Sequence, residues 1–356
     1  METKNVAMTD RHNYTFDLLR ITACVMVLLN HTNSWVFVQY FPMASGQISL
    51  VLFFFSKAGV PLFFMLSGAL LLRRQDSYRI AYGKRALRIV LAILLFSVLY
   101  SCLINRNLSV FSFAFFRSLI TEPIIVPYWY LYSYLSLMLL LPFLQKMVAN
   151  CKQKDLTILL MVLFICGKVI PFFSVLGIPI SLSAYFTANF FSGPIFYFIL
   201  GYFISHYFVS WAKQGNRKWW TIVCCALLFV GGIVLCWYMT GYEYYTTGKF
   251  ALKLDNIHNL PITVYSVALF IFVMVLCGEW RYPVWFSKKI RLIADSTFGV
   301  YLIHNIAIER TRNILNFLCG RWNDLFAVLI MDVILFVGCV LVITLLRRIP
   351  GVKKIL

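Results

Sequence analysis

Acid is what this chain is short of. Thirteen Asp and Glu stand against 32 Lys and Arg, and the four charged types together make up 13% of 356 residues. A soluble domain carries about twice that share, so no stretch reads as one. Histidine is scarcer still, with five. There is no Walker loop, no GxGxxG, no HExxH and no GxSxG elbow. Those absences weigh against an ATP-driven pump, a nucleotide-fold oxidoreductase and an intramembrane zinc protease. Fixed-period repeats and low-complexity tracts are missing. The ten cysteines show no metal spacing and fall mostly in apolar segments, where free Cys behaves as a small hydrophobe; no metal is expected. Cys319 alone falls in an outer loop, so no disulfide can form within that loop.

What is present is apolar. The chain is 61% hydrophobic with a mean hydropathy of +0.82. Runs long enough to cross a bilayer recur along its whole length, at 16–37, 47–72, 89–105, 127–145, 156–172, 188–209, 219–239, 260–278, 293–308 and 324–346. The expected fold is all-α: a polytopic membrane protein of about ten transmembrane helices, with residues 1–356 forming one unit and no separate soluble domain. The polar start and the lack of a small-residue cleavage site argue against a removed signal peptide.

With the spans placed, most Lys and Arg fall on alternate loops. One side holds Lys4, Arg11, the 73–88 loop, Lys146, Lys152, Lys154, Lys213, Arg217, Lys218, the 281–291 loop and the 347–354 segment. The other holds only Arg106, Arg117, Lys249, Lys253, Arg310, Arg312 and Arg321. The positive-inside rule then puts both termini in the cytoplasm. The +19 net charge is mostly topology, and nucleic acid is not an expected partner.

Arg20 and His31 lie within the first span, FDLLRITACVMVLLNH. Titratable groups in a span are costly and mark functional sites. Eleven residue steps make three turns, so both side chains share one helix face, roughly 16 Å apart along the axis. Asp17, one turn before Arg20, is spaced for a charge pair. His31 sits among Asn30, Thr32, Asn33 and Ser34 and suits general-base work. Lys57 is deep in the second span, SKAGVPLFFMLSGALLLRR, where Gly59, Pro61 and Gly68 permit a broken or closely packed backbone and Ser67-Gly68 lies towards the cytoplasmic end. Gly167, Pro171, Gly193 and Pro194 break two further spans. Such breaks persist where protein or a cavity satisfies the backbone, so an internal cavity is expected, with plain kinks as the alternative. The loop RRQDSYRIAYGKRALR carries six cations. Topology predicts a basic loop there, and the density of charge also suits a nucleotide phosphate. His304 falls about as deep as His31, so the two could meet, or His304 could make an ordinary polar helix contact. Asp332 is a further intramembrane acid for Lys57, Lys168 or Arg20 to pair with, and His206 is placed at an interface. In the outer loop 240–259, GYEYYTTG suits either an aromatic interface belt or a sugar.

Together these segments resemble the acyltransferase 3 family of polytopic membrane acyltransferases. Arg20 and His31 in FDLLR…H are similar to its Arg-x10-His signature. GVPLFFMLSG resembles its second-span element, with Lys57 at a usually basic position. KRALRI resembles the basic start of its third span, and YWYLYSYLSLMLLLPFL its Trp-x-Leu…Pro fourth span. STFGVYLIH resembles its Gly-x-Tyr-Leu-x-His element. The matches run in order over most of the chain. Two departures stand out: Tyr134 replaces a Glu common after Trp129 and Leu131, and Pro127 replaces a His that others carry.

The resemblance implies an acyl-CoA donor, chiefly acetyl-CoA, taken from the cytoplasm. The implied acceptor is a saccharide or lipid-linked glycan near the outer face, as for short inner-membrane O-acetyltransferases of bacterial surface polysaccharide. Catalysis would then fall to His31, as general base or as brief carrier of the acyl group, and to Arg20, supported by Asp17, Lys57, Ser67, Tyr301, His304 and Trp129. Arg73, Arg74, Lys84, Arg85 and Arg88 would hold the coenzyme phosphates, and the donor arm would thread a polar shaft towards His31. A multi-pass secondary transporter shares the spans, breaks and buried charges and is the rival expectation.

Overall fold

The computed structural model of the protein describes residues 14–106, 110, 112–183, 193–278, 283–319 and 321–356, with only the backbone of Val284. In a bilayer each backbone N–H and C=O must be satisfied within the protein. The apolar runs accordingly form helices, and no strand occurs among the described residues. In chain order these are α1 (Tyr14–Asn33), α2 (Val36–Tyr40), α3 (Ala44–Ser56), α4 (Gly59–Leu71), α5 (Tyr78–Leu103), α6 (Phe113–Thr121) and α7 (Trp129–Asn150). There follow α8 (Gln153–Val175), α9 (Ile195–Ala212), α10 (Arg217–Thr247), α11 (Leu260–Cys277), α12 (Val284–Cys319), α13 (Asp324–Leu346) and α14 (Pro350–Lys353).

Among the described residues, eight segments are long and apolar enough to cross a membrane: α3 with α4, α5, Val126–Asn150, α8, α9, α10, α11 and α13. The first and ninth expected spans fall in α1 and α12, of 20 and 36 residues. These two are long enough, but polar side chains dilute their composition, and they carry both Arg20 with His31 and His304. Helix α12 also overshoots its expected span at both ends. The expected start of the sixth span, at residue 188, lies outside the described residues, which omit 184–192; its described helix starts at Ile195, just after Pro194.

The second expected span is two helices. Pro61 has no N–H to offer the Lys57 carbonyl, and the helix turns at Lys57 and Ala58 before resuming at Gly59. The fifth loosens instead of breaking: a π-helical turn over Ile165–Val169 contains Gly167 and Lys168.

Helix α1 packs on α3, α4, α11, α12 and α13, which puts its polar positions inside the protein. Helices α4 and α9 touch backbone to backbone. A Cβ on Gly68 would stand 1.7 Å from the Phe198 carbonyl oxygen, and one on Gly201 would stand 1.9 Å from that of Met65. Small residues permit such approach where lipid offers no hydrophobic drive for helix association. The start of α7 is clasped to α12: Tyr128 Oη donates to the Leu302 carbonyl at 2.7 Å, and Tyr301 Oη donates to that of Pro127. The ten cysteines are all free thiols.

Candidate active site

Arg20 and His31 share α1 but open onto different cavities. The larger, of about 900 Å³, is lined by Arg20, Lys84, Arg85, Arg88, Arg347 and Lys354, with Asp295 as its acid. Five of the six come from the side that the charge pattern marks as inner, and Arg20 comes from within the first span. Phe63, Leu66, Ser67, Tyr130, Tyr134 and Tyr301 complete its apolar and aromatic wall. The smaller, of about 480 Å³, is lined by Asn30, His31, Ser56, Lys57, Trp129, Asp255, Asn256 and His258 among others.

In the inner cavity, Arg20 keeps a loose pair with the buried Asp17, Nη1 to Oδ1 at 3.8 Å. Arg85 Nε donates to Asp76 Oδ2 at 2.8 Å, and Gln145 ties Asp76 to the Leu71 carbonyl. Burial works to raise the Asp76 carboxyl, but hydrogen bonds from Arg85 and Gln145 and the charges of Arg85 and Arg74 hold it below its ordinary value. Arg88 lies over the Phe298 ring, 4.8 Å to the centroid, and donates to the carbonyls of Ile355 and Leu356 at 2.9 and 2.5 Å. Of the five residues expected to hold coenzyme phosphates, Lys84, Arg85 and Arg88 line this cavity; Arg73 and Arg74 are exposed and do not. The loop turns away after Leu72, and its cavity-lining part is the first turns of α5.

Lys57, at the turn between α3 and α4, is paired with Asp255 and lies over the Phe53 ring. The outer loop is pinned at two further points. Tyr197 Oη donates to the Ile257 carbonyl, and His258 Nδ1 lies 3.2 Å from the Nζ of the fully buried Lys168. Burial, with the Lys168 charge second, pushes the His258 imidazole down to about 3. Asp332 therefore takes none of the three cations proposed for it; it accepts from Thr32 at 3.3 Å. His206 stacks on Tyr202, with centroids 5.1 Å apart.

A thin septum divides the cavities, which share no lining residue. Val60 faces the outer one and Phe63 the inner, three residues or about 4.5 Å of helix rise apart. Trp129 and Tyr130, adjacent on α7, are divided the same way. The expected single shaft is thus two chambers. A file of rings runs through the septum. Tyr130 and Tyr301 have centroids 5.3 Å apart, Tyr301 and His304 5.4 Å, and His304 and His31 5.3 Å. His31 and His304 do meet; of the six groups expected to support catalysis, Lys57, Ser67, Trp129, Tyr301 and His304 lie around the two cavities or in the septum, and Asp17 lines neither.

Sequence reasoning missed Asp255, Asn256 and His258. Their signal was the polar run DNIHN in the loop whose Tyr-rich opening drew attention instead. It also missed Tyr130, which pairs with Ser67 and stacks on Tyr134 with centroids 5.8 Å apart.

Residues 13–348 match the model of the acyltransferase 3 family, described as an acyltransferase domain. No curated protein and no solved structure matches the chain significantly.

Proposed function

The chain belongs to the acyltransferase 3 family, and from that premise we propose that it is an O-acyltransferase of the bacterial inner membrane. It takes acetyl from cytoplasmic acetyl-CoA and delivers it to a hydroxyl of a surface-polysaccharide sugar or its lipid-linked precursor. The observation that carries this reading is the pairing of a six-cation inner cavity with a smaller polar one that holds His31, the two set about one helix turn apart along α4. Phosphates suit clustered Lys and Arg, and the inner volume is within the range of ligand sites. Lys84, Arg85 and Arg88 hold the phosphates, with Arg20 towards the septum. Trp129 offers a face on which a sugar packs, and Asn256 and Asp255 offer hydrogen-bonding groups beside it.

His31 takes the proton of the acceptor hydroxyl as the new C–O bond forms and the thioester C–S bond breaks. The thiolate leaves on the inner side and is protonated there. For donor and acceptor to meet, the ring septum must part, since the two cavities have no wall in common.

The test is release of CoA from acetyl-CoA by the purified protein in nanodiscs, supplied with lipid-linked saccharide extracted from bacterial envelopes. His31→Ala should lower turnover by about 100-fold or more. Near-normal turnover would remove His31 from its role, and no release by the unaltered protein would sink the assignment. The turn at Lys57 is also a device of secondary transporters; solute accumulation without use of acetyl-CoA would favour that second reading.

A further inference from the structure

His304 is wholly buried, yet it carries an unused lone pair. Its Nδ1 is bonded to the Tyr301 carbonyl one turn earlier on α12. A carbonyl only accepts, so Nδ1 bears the proton and Nε2 is left as an acceptor. Nε2 has no hydrogen-bond partner. A buried polar atom left unpaired loses its hydration with nothing in return, so its presence calls for a donor that arrives in use. The imidazole of His31 is the neighbour in position: the centroids stand 5.3 Å apart and the planes are inclined by 36°. No hydrogen bond to the rest of the protein holds the His31 ring among the described residues, so no such bond opposes the turn about χ2 that would bring a ring nitrogen towards Nε2.

We propose that His304 is the positioning residue of His31: its Nε2 accepts the N–H of one His31 nitrogen and so presents the other, unprotonated, to the acceptor hydroxyl. This rests on the acyl-transfer reading above. The proton taken from the hydroxyl stays on His31 until the thiolate is protonated; His304 receives no proton and contributes a hydrogen bond that strengthens as His31 becomes a cation. An imidazole does here what a carboxylate does in a hydrolytic triad. The surroundings favour a neutral partner. Lys57, from the end of α3, acts on His31 through its charge and is itself paired with Asp255. Asp332 on α13 is engaged by Thr32, the residue after His31. The outer loop contributes His258, already held by Lys168. Tyr301 supplies only its carbonyl, its hydroxyl being committed to Pro127.

Three variants decide the matter. His304→Gln can put an amide oxygen where Nε2 stands, His304→Asn is too short to do so, and His304→Phe keeps volume without an acceptor. In the CoA-release assay, Gln should keep turnover within about tenfold of the unaltered protein. Asn and Phe should lower kcat by about 100-fold or more at unchanged KM. The 15N shifts of the His31 ring, read in nanodiscs with labelled histidine, should move in Asn and Phe and much less in Gln. If Phe fails to fold, Asn against Gln makes the same comparison. Phe or Asn as active as Gln, or a His31 ring unmoved in all variants, overturns the inference. An unaltered protein that releases no CoA sinks the acyl-transfer reading instead, and the ring shifts still test the contact.

Discussion

Adding one methyl group at Gly68 or Gly201 should loosen the protein more than most core substitutions do. The Cβ of Gly68→Ala would lie 1.7 Å from the Phe198 carbonyl oxygen and 2.6 Å from its carbon, and that of Gly201→Ala 1.9 Å from the Met65 oxygen. Ordinary contact begins near 3.4 Å, so the helices must part by more than 1 Å. The obstacle in each case is backbone, with no flexible side chain to yield. Overpacking costs about 1–3 kcal/mol and sometimes more, and each variant should fall at or above the upper end. The two contacts lie on one interface, three residues apart on each helix. A separation forced by one methyl largely admits the second, so the double variant should cost less than the sum of the singles. Activity should fall as well, because α4 carries Phe63, Leu66 and Ser67 on the inner cavity and Val60 on the outer, and a misplacement of about 1 Å costs up to 100-fold. Thermal unfolding in nanodiscs, followed with a thiol-reactive dye on the ten free cysteines, measures the stability. Singles within about 0.5 kcal/mol of the parent, or a double that is simply additive, would refute the close α4–α9 contact.

Two further outcomes follow from the cavities. Arg88→Ala should raise the KM for acetyl-CoA by about tenfold or more with kcat largely kept, since a charge-assisted hydrogen bond is worth roughly 1.5–3 kcal/mol; Arg88→Lys should recover only part of this, because the planar fork is lost. An unchanged KM in both would leave Arg88 as a clamp on the Ile355–Leu356 carbonyls alone. His258, pushed from its ordinary 6.5 down to about 3 by burial and by Lys168, stays neutral in the folded protein where the unfolded chain takes up a proton. Its contribution to stability is whole above pH 6.5 and is lost as pH falls towards 3. Melting temperature should drop between pH 7 and pH 5, and His258→Gln should flatten that slope; an equal slope in both proteins counts against the buried setting of this ring.

Much of this was legible in the sequence. Hydropathy finds helices because a bilayer leaves the backbone no other partner, and Pro61 foretells the turn at Lys57. The alternation of basic loops anticipates that Lys84, Arg88, Arg347 and Lys354 line one cavity. Partner choice was not legible. Lys57 and Asp255 are far apart in the chain, as are Lys168 and His258, and no spacing rule links residues that meet only through packing. The septum was invisible for the same reason. Arg20 and His31 share a helix face, but whether the space beside that face is continuous depends on Tyr130, Tyr301 and His304, which arrive from two other helices. Arg73 and Arg74 misled because charge density in a loop does not say which of its cations turn inward.

The thinness of the wall between the chambers has an electrical consequence. Where solvent reaches into a membrane from both sides, the voltage falls mainly across whatever insulating layer remains. Moving an elementary charge through that layer then draws on nearly the whole potential, about 2.3 kcal/mol for each 100 mV. In the proposed reaction the acetyl group, being uncharged, would cross without that toll, and the phosphates of its carrier would never have to enter the field.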